Sequence, residues 1–293
     1  MTQVDCDASQ LAWVAFFLRS SRNIDGVMTK SVRRPGPEST LGEVRGELIE
    51  AGLELLRARG VDVSLGEITL SDAIAASGVT RSTAYRSLAD DELAPQAVLH
   101  RELLNQLLTR HTRGEGKSTI EHVVAAEMQR EAADLASGDV ASRTRVLRGV
   151  IRVGCNASYQ AVVDAPERSI LIAIYGSLQS STSTDWRYEA LKDGEAALTT
   201  QFSELHGGLA ELFDYRIKDP FTVSQFTTAG ASLIEGMAMR QRVNRELNAV
   251  FRPTGPDAEL EEWCLFGIAF EALFAAMWEP NSPDAPYADL SRY

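Results

Sequence analysis

The sequence predicts an all-α protein, and three observations predict it. Apolar residues recur at spacings of three and four through nearly every stretch between breaks. Capping signals and glycine or proline stops frame those stretches. No run of alternating residues marks a strand ladder, and no internal repeat is present. The 293 residues, 44% hydrophobic and 24% charged, have the balance of a soluble globular chain long enough for one large or two modest domains.

Residues 1–38 are expected to form a disordered extension. Within it Leu11–Leu18 is apolar, but Asp5 and Asp7 precede it and Arg19 and Arg22 follow, the reverse of a secretory signal's charge order. No stretch approaches the roughly 18 unbroken apolar residues of a membrane span, so a cytoplasmic location and no membrane partner are expected. Met28-Thr29 repeats the opening Met1-Thr2 and leaves open whether residues 1–27 are translated. Pro35-Gly-Pro-Glu-Ser-Thr40 closes the extension.

Thr40-Leu-Gly-Glu43 has capping-box spacing, and Leu41, Val44, Leu48, Ala51 and Leu55 then line one face of a helix over 41–59. After a connection over 61–70, Ser71 is expected to cap a short helix, 72–77. Gly78 supplies a tight turn, and Thr80 caps a second short helix, 81–88. A longer helix over 91–108 puts Leu93, Ala97, His100, Leu104 and Leu107 on one face. Ile74, Ala75, Val79 and Ala84 are small or branched, which suits close packing of the two short helices.

Two short helices joined through a glycine turn read as a helix-turn-helix. Thr80, Arg81, Ser82, Thr83, Tyr85 and Arg86 offer donors for phosphates and base edges if the second helix enters a major groove. Lys30, Arg33 and Arg34, just before the first helix, are candidates for an arm on the backbone or minor groove.

Charge partition agrees. The net charge is −12, and residues 114–293 hold 16 basic and 26 acidic residues against 11 and 12 in residues 28–113. That excludes a nucleic-acid coat over the whole molecule and leaves room for a local basic reading surface.

Ile74-Ala75, Ser77-Gly-Val-Thr80, Arg81-Ser-Thr-Ala-Tyr85-Arg86, Leu88 and Leu93 resemble the DNA-binding domain of the tetracycline-repressor (TetR) family of bacterial transcription regulators, and the flanking helices come in that family's order. The resemblance covers roughly 70 residues, and its most specific part about 20. It implies a homodimer on a palindromic operator of double-stranded DNA, released by a small-molecule effector. It departs at Asp91, where the family usually carries a lysine. Leu88 stands for a common aromatic, Ser82 for a glycine and Ser87 for a histidine. The acidic run Asp90-Asp91-Glu92 would repel DNA unless it caps the following helix and points away.

The architecture expected is therefore an N-terminal three-helix helix-turn-helix DNA-binding domain, 39–110, and a larger C-terminal helical ligand-binding and dimerisation domain, 114–280. Residues 281–293 form a polar tail. The larger domain reads as helices that include 119–135, 142–163, 186–213, 222–249 and 257–278. In the last, Trp263, Phe266, Phe270, Leu273 and Met277 line one face and Leu265, Ala269, Ala272 and Ala276 another, so both need cover, from the chain's own domain and from a second subunit. The resemblance implies that the last two helices pair with their copies. Leu233, Met237, Trp263, Phe266, Phe270 and Phe274 are the interface residues expected. Asn156, Tyr159, Trp186 and Tyr188 are candidate lining for the effector.

Signals for catalysis are weak. Gly114-Glu-Gly-Lys-Ser118 imitates the end of a phosphate-binding loop, but His111 holds the first glycine's position and a helix precedes it. His100, His111, His122 and His206 lack metal-ligand spacing. Cys6, Cys155 and Cys264 are dispersed and odd in number, which excludes a disulfide scaffold and a four-cysteine metal site. No enzyme activity, metal or cofactor is expected. The alternatives are a helical ligand-binding or protein-interaction module whose helix-turn-helix is vestigial, and a small all-α enzyme using a C-terminal cavity.

Overall fold

The computed structural model describes residues 40–59, 67–113, 115–136, 139–177, 186–241, 243–244, 249–254 and 259–281. Among these, eleven helices and four short strands follow in order. They are α1 (Leu41–Arg59), α2 (Leu70–Ser77), α3 (Arg81–Ser87), α4 (Pro95–Arg113), α5 (Glu115–Arg130), α6 (Ala132–Ala136), α7 (Val140–Asp164), α8 (Pro166–Ser177) and α9 (Trp186–Leu212). Then come β1 (Tyr215–Ile217), α10 (Val223–Gln241), β2 (Val250–Pro253), β3 (Leu260–Trp263), α11 (Leu265–Met277) and β4 (Trp278–Pro280). The chain is mostly helical, as its periodicity predicts. No helix among the described residues is long and apolar enough to cross a membrane.

The chain divides into two compact units, one holding α1–α4 with residues 165–197, the other residues 115–164 with those from 198 onward. Residues 165–197 therefore belong with the N-terminal helices, whereas the sequence places them in the domain expected over 114–280. The reason is apolar packing: Ile170, Leu171, Ile174 and Leu191 join the core built by α1–α4.

In that first unit the Thr40–Glu43 capping box forms, with the Glu43 N–H donating to Thr40 Oγ1 at 3.3 Å and the Thr40 N–H to Glu43 Oε2 at 2.8 Å. Leu48, Leu53 and Leu56 of α1 meet Leu99, Leu103 and Leu107 of α4 in one buried cluster. Each such side chain contributes about 1.5–3 kcal/mol. Gly52 lets the two helices close up, since a Cβ there would sit 2.8 Å from Leu103 Cδ2. Leu41, expected on the inner face, is 48% exposed at the helix start.

The second unit is built around α7, whose Val146, Val150 and Cys155 are buried with Val124 and Met128 of α5 and Trp263, Phe266 and Phe274. An aromatic cluster closes it: Phe226 lies 5.0 Å from Phe270, 5.6 Å from Trp278 and 5.2 Å from the His206 ring. β1 pairs antiparallel with β4, Tyr215 opposite Pro280 and Ile217 opposite Trp278.

β2 and β3 form an antiparallel hairpin, with Val250 opposite Trp263, Phe251 opposite Glu262, Arg252 opposite Glu261 and Pro253 opposite Leu260. This corrects two expectations. The helix expected over 222–249 ends at Gln241, where the N–H groups of Val243 and Asn244 both turn back to the Arg240 carbonyl. The helix expected over 257–278 begins only at Leu265, capped by Cys264, whose sulfur accepts the Gly267 N–H at 3.3 Å.

What holds the hairpin is charge. Its inner side presents Arg252 and Glu261, which meet buried Glu271 and half-buried Arg152 (Arg252 Nη1 to Glu271 Oε2 at 2.6 Å, Arg152 Nη2 to Glu261 Oε1 at 2.8 Å). The other Glu271 oxygen takes Arg148 Nε at 2.6 Å. Thr254 donates its hydroxyl to Glu261 at 2.6 Å and accepts the Trp263 indole N–H at 3.1 Å.

Candidate nucleic-acid interface

Local chemistry sets the α2–α3 corner. Thr69, not Ser71, caps α2: its hydroxyl accepts the Asp72 N–H at 3.1 Å, and its own N–H donates to Asp72 Oδ2 at 3.3 Å. The box recruits the carboxylate three positions on, which a Ser71 cap cannot do, so the helix starts two residues early. The Thr69 hydroxyl and N–H, with Arg59 3.4 Å away, hold the Asp72 carboxyl below its ordinary range.

At the other end Gly78 takes φ +72° and donates its N–H to the Ile74 carbonyl at 3.0 Å, the left-handed cap that turns the chain into α3. Val79 and Ala84 are buried as expected, but Ala75 faces out and Ala73 makes the inward contact instead. Leu70 and Ala73, three apart on α2, point to the core.

α3 is divided by burial. Ala84, Ser87 and Leu88 are buried, and the Ser87 hydroxyl is turned back onto the Ala84 carbonyl at 2.9 Å. Thr80, Arg81, Ser82, Tyr85 and Arg86 are exposed, with Thr83 half-buried beside them. The structure thus brings all six sequence-named residues of this segment to one corner. Thr80 occupies the N-cap position, yet its hydroxyl bonds to the Thr83 hydroxyl at 2.8 Å rather than to a backbone N–H. Arg81 lies over the Tyr85 ring, 5.5 Å from its centroid.

The acidic run is only partly a cap. Asp90 accepts the N–H groups of Glu92 and Leu93 at 3.0 and 3.2 Å and pairs with Arg101 at 2.8 Å, contacts that lower its pKa. Asp91 and Glu92 are exposed, and α4 begins at Pro95 rather than at residue 91. Gln96 was missed from sequence. Its side chain accepts the Leu70 N–H at 2.6 Å and donates to the Ile68 carbonyl at 2.9 Å, so α4 holds the entrance to α2. Lys30, Arg33 and Arg34 lie outside the described residues.

The expected effector residues are divided between the two units. Asn156 is spent on structure, accepting the Cys264 N–H at 2.9 Å and donating to the Glu262 carbonyl at 3.1 Å. Tyr159 is buried in the core of the same unit. Trp186 packs half-buried in the other unit, and Tyr188 is exposed there. Of the expected interface residues, Trp263, Phe266 and Phe274 are buried within the chain's own core and have no surface to offer a second copy. Leu233, Met237 and Phe270 are half-buried against that core.

The charged network also escaped the sequence reading, because charged residues read as a solvated face. One signal was present: Glu271 is the single charge in α11. No protein-family model matches the chain, and no curated protein matches it.

Proposed function

We propose that the chain is a homodimeric transcriptional regulator of the TetR type, with α3 as the recognition helix in the major groove of double-stranded DNA. The observation that carries this reading is the division of α3: Ala84 and Leu88 anchor it, while Thr80, Arg81, Ser82, Tyr85 and Arg86 stand in solvent. A short helix with donors along one open face has the chemistry for phosphate and base-edge contacts. Each copy reads one half-site of a palindromic operator, the half-sites about 34 Å apart. A small molecule taken by the larger helical unit shifts the dimer between a spacing that fits the operator and one that does not. It does so only if it binds the two states with different affinity. Repression follows the family's habit. The reading is of a cytoplasmic binding protein, not an enzyme.

Exposed Asp91 and Glu92 near this corner favour a second reading, a helical ligand-binding or protein-interaction module with a vestigial helix-turn-helix, since carboxylates near phosphate repel it. Titrating the protein into labelled DNA from upstream of its own gene, at two salt concentrations, separates the two. The regulator outcompetes random DNA and weakens with salt, and Arg81→Ala, Tyr85→Ala and Arg86→Ala each weaken it without unfolding the chain. The module binds specific and random DNA alike.

A further inference from the structure

The aromatic residues expected at a subunit interface are largely inside the chain, and the four most exposed large apolar side chains of the same unit, Met239, Val243, Phe251 and Leu260, fall in two patches. We propose that two copies associate crosswise, the outer face of the β2–β3 hairpin of one against the C-terminal end of α10 of the other, twice by two-fold symmetry. The inference rests on the homodimer reading above and gives that dimer its surface.

The first patch is the outer side of the hairpin. Phe251 is 63% and Leu260 66% exposed, with Pro253 exposed opposite Leu260. These side chains have no route inward. Alternation along a strand fixes Phe251 opposite in sense to Arg252, and Arg252 is held by Glu271 at 2.6 Å and lies 5.0 Å over the Trp263 ring. Turning Phe251 into the core would put Arg252 in solvent and leave Glu271, itself 3% exposed, short of a partner. The hairpin is thus a stiff ribbon with an apolar outer face, fringed by exposed Glu259 and Glu262.

The second patch has the opposite charge. Met239 and Val243, four residues apart where α10 ends, are 51% and 89% exposed, and exposed Arg240 lies between them. Among the described residues neither patch covers the other: Met239, Val243, Phe251 and Leu260 are all exposed. Charge then selects the arrangement. Hairpin against hairpin brings the acidic fringe of Glu259 and Glu262 into one contact with its copy, and α10 end against α10 end does the same with two Arg240 side chains. Crosswise contact sets Arg240 against Glu262 and gives Phe251 and Leu260 the apolar neighbours Met239 and Val243. An isologous two-fold dimer makes that contact twice, and opposite charge at its rim fixes the partner's orientation.

The test is sedimentation velocity of the full chain over a range of concentration. Phe251→Glu and Leu260→Glu, both at exposed positions, are expected to raise the dimer dissociation constant at least about tenfold while leaving the thermal midpoint of the monomer in place. Arg240→Glu and Glu262→Arg are each expected to weaken the dimer, and the double swap to restore it. A photo-crosslinking residue at position 251 is expected to capture position 239 or 243 of a second copy. A wild-type chain monomeric at every concentration overturns both this inference and the homodimer reading. A dimer indifferent to the hairpin substitutions, or a crosslink only within one chain, overturns this inference and leaves the homodimer standing.

Discussion

Arg81 lies against Tyr85 along the open side of α3, its guanidinium carbon 5.5 Å from the ring centroid and its Nη2 3.5 Å from the phenol oxygen. An exposed cation–π pair contributes only about 0.5–1 kcal/mol, so its value to the fold is small and its value to positioning is larger. Each residue narrows the rotamers of the other and presents both donors on one side of the helix. Arg81→Ala and Tyr85→Ala are expected to lower affinity for operator DNA about tenfold or more each, with unfolding free energies within about 0.5 kcal/mol of wild type. Fluorescence anisotropy on DNA and urea unfolding check the two halves. If either substitution unfolds the chain, the residue serves the core.

Gly78 sets the angle between α2 and α3 at φ +72°. A Cβ there meets no atom within 4 Å, so the penalty for a side chain is conformational alone. Gly78→Ala is expected to cost about 1–2 kcal/mol and Gly78→Asn less, because asparagine tolerates the left-handed region. Urea denaturation measures both. An alanine variant as stable as wild type would mean that the turn takes another conformation.

Glu271 bridges Arg148 and Arg252 at 2.6 Å each inside the second unit. Glu271→Ala leaves two nearly buried guanidinium groups without their carboxylate and is expected to cost about 3–5 kcal/mol. Hydrogen exchange in this variant is expected to accelerate first at residues 250–253 and 260–263, since the hairpin loses its main tie. Unchanged hairpin protection would show that the pairing of β2 with β3 suffices on its own.

His206 is surrounded by Phe202, Phe226 and Phe270, its Nδ1 3.0 Å from the Thr227 hydroxyl. Burial lowers its pKa from 6.5 to about 4. The unfolded chain therefore binds this proton first as pH falls, so the group costs stability progressively from about pH 6.5 down to about pH 4. Glu127 acts in the opposite sense, because burial raises its pKa and protonation favours the fold. Comparing wild type with His206→Gln isolates the histidine. The variant is expected to lose part of the decline over that window, and parallel pH profiles would contradict the assignment.

Sequence periodicity reveals which side of a helix is apolar, not what covers that side. α3 was legible because its burial is local: Ala84 and Leu88 fall on one side and Arg81 and Tyr85 on the other, and Gly78 marks the turn. The Thr40–Glu43 box was legible for the same reason. Thr69 carried the same signature with Asp72, but the neighbouring Ser71 competed with it as a cap. Trp263, Phe266 and Phe274 were seen as apolar and assigned to a partner, although Val150 and Phe226 of their own chain cover them. The β2–β3 hairpin was hidden more deeply. Its inward side chains are Arg252 and Glu261, which look solvent-facing until Glu271 and Arg152 supply partners 19 and 109 residues away. The place of residues 165–197 is not legible in sequence, because Ile170 and Leu191 suit the core of either unit and only the folded chain chooses between them.

One titration tests the reading role of α3 most directly. The purified chain is added to labelled DNA from upstream of its own gene, against random competitor, at low and moderate salt, beside the Arg81→Ala, Tyr85→Ala and Arg86→Ala triple variant. A DNA-reading α3 gives saturable binding that survives random competitor, weakens as salt rises and disappears in a triple variant that still melts like wild type. Binding no better than to random DNA, both there and in a selection from random sequences, would contradict it and leave the α2–α3 corner without a reading role.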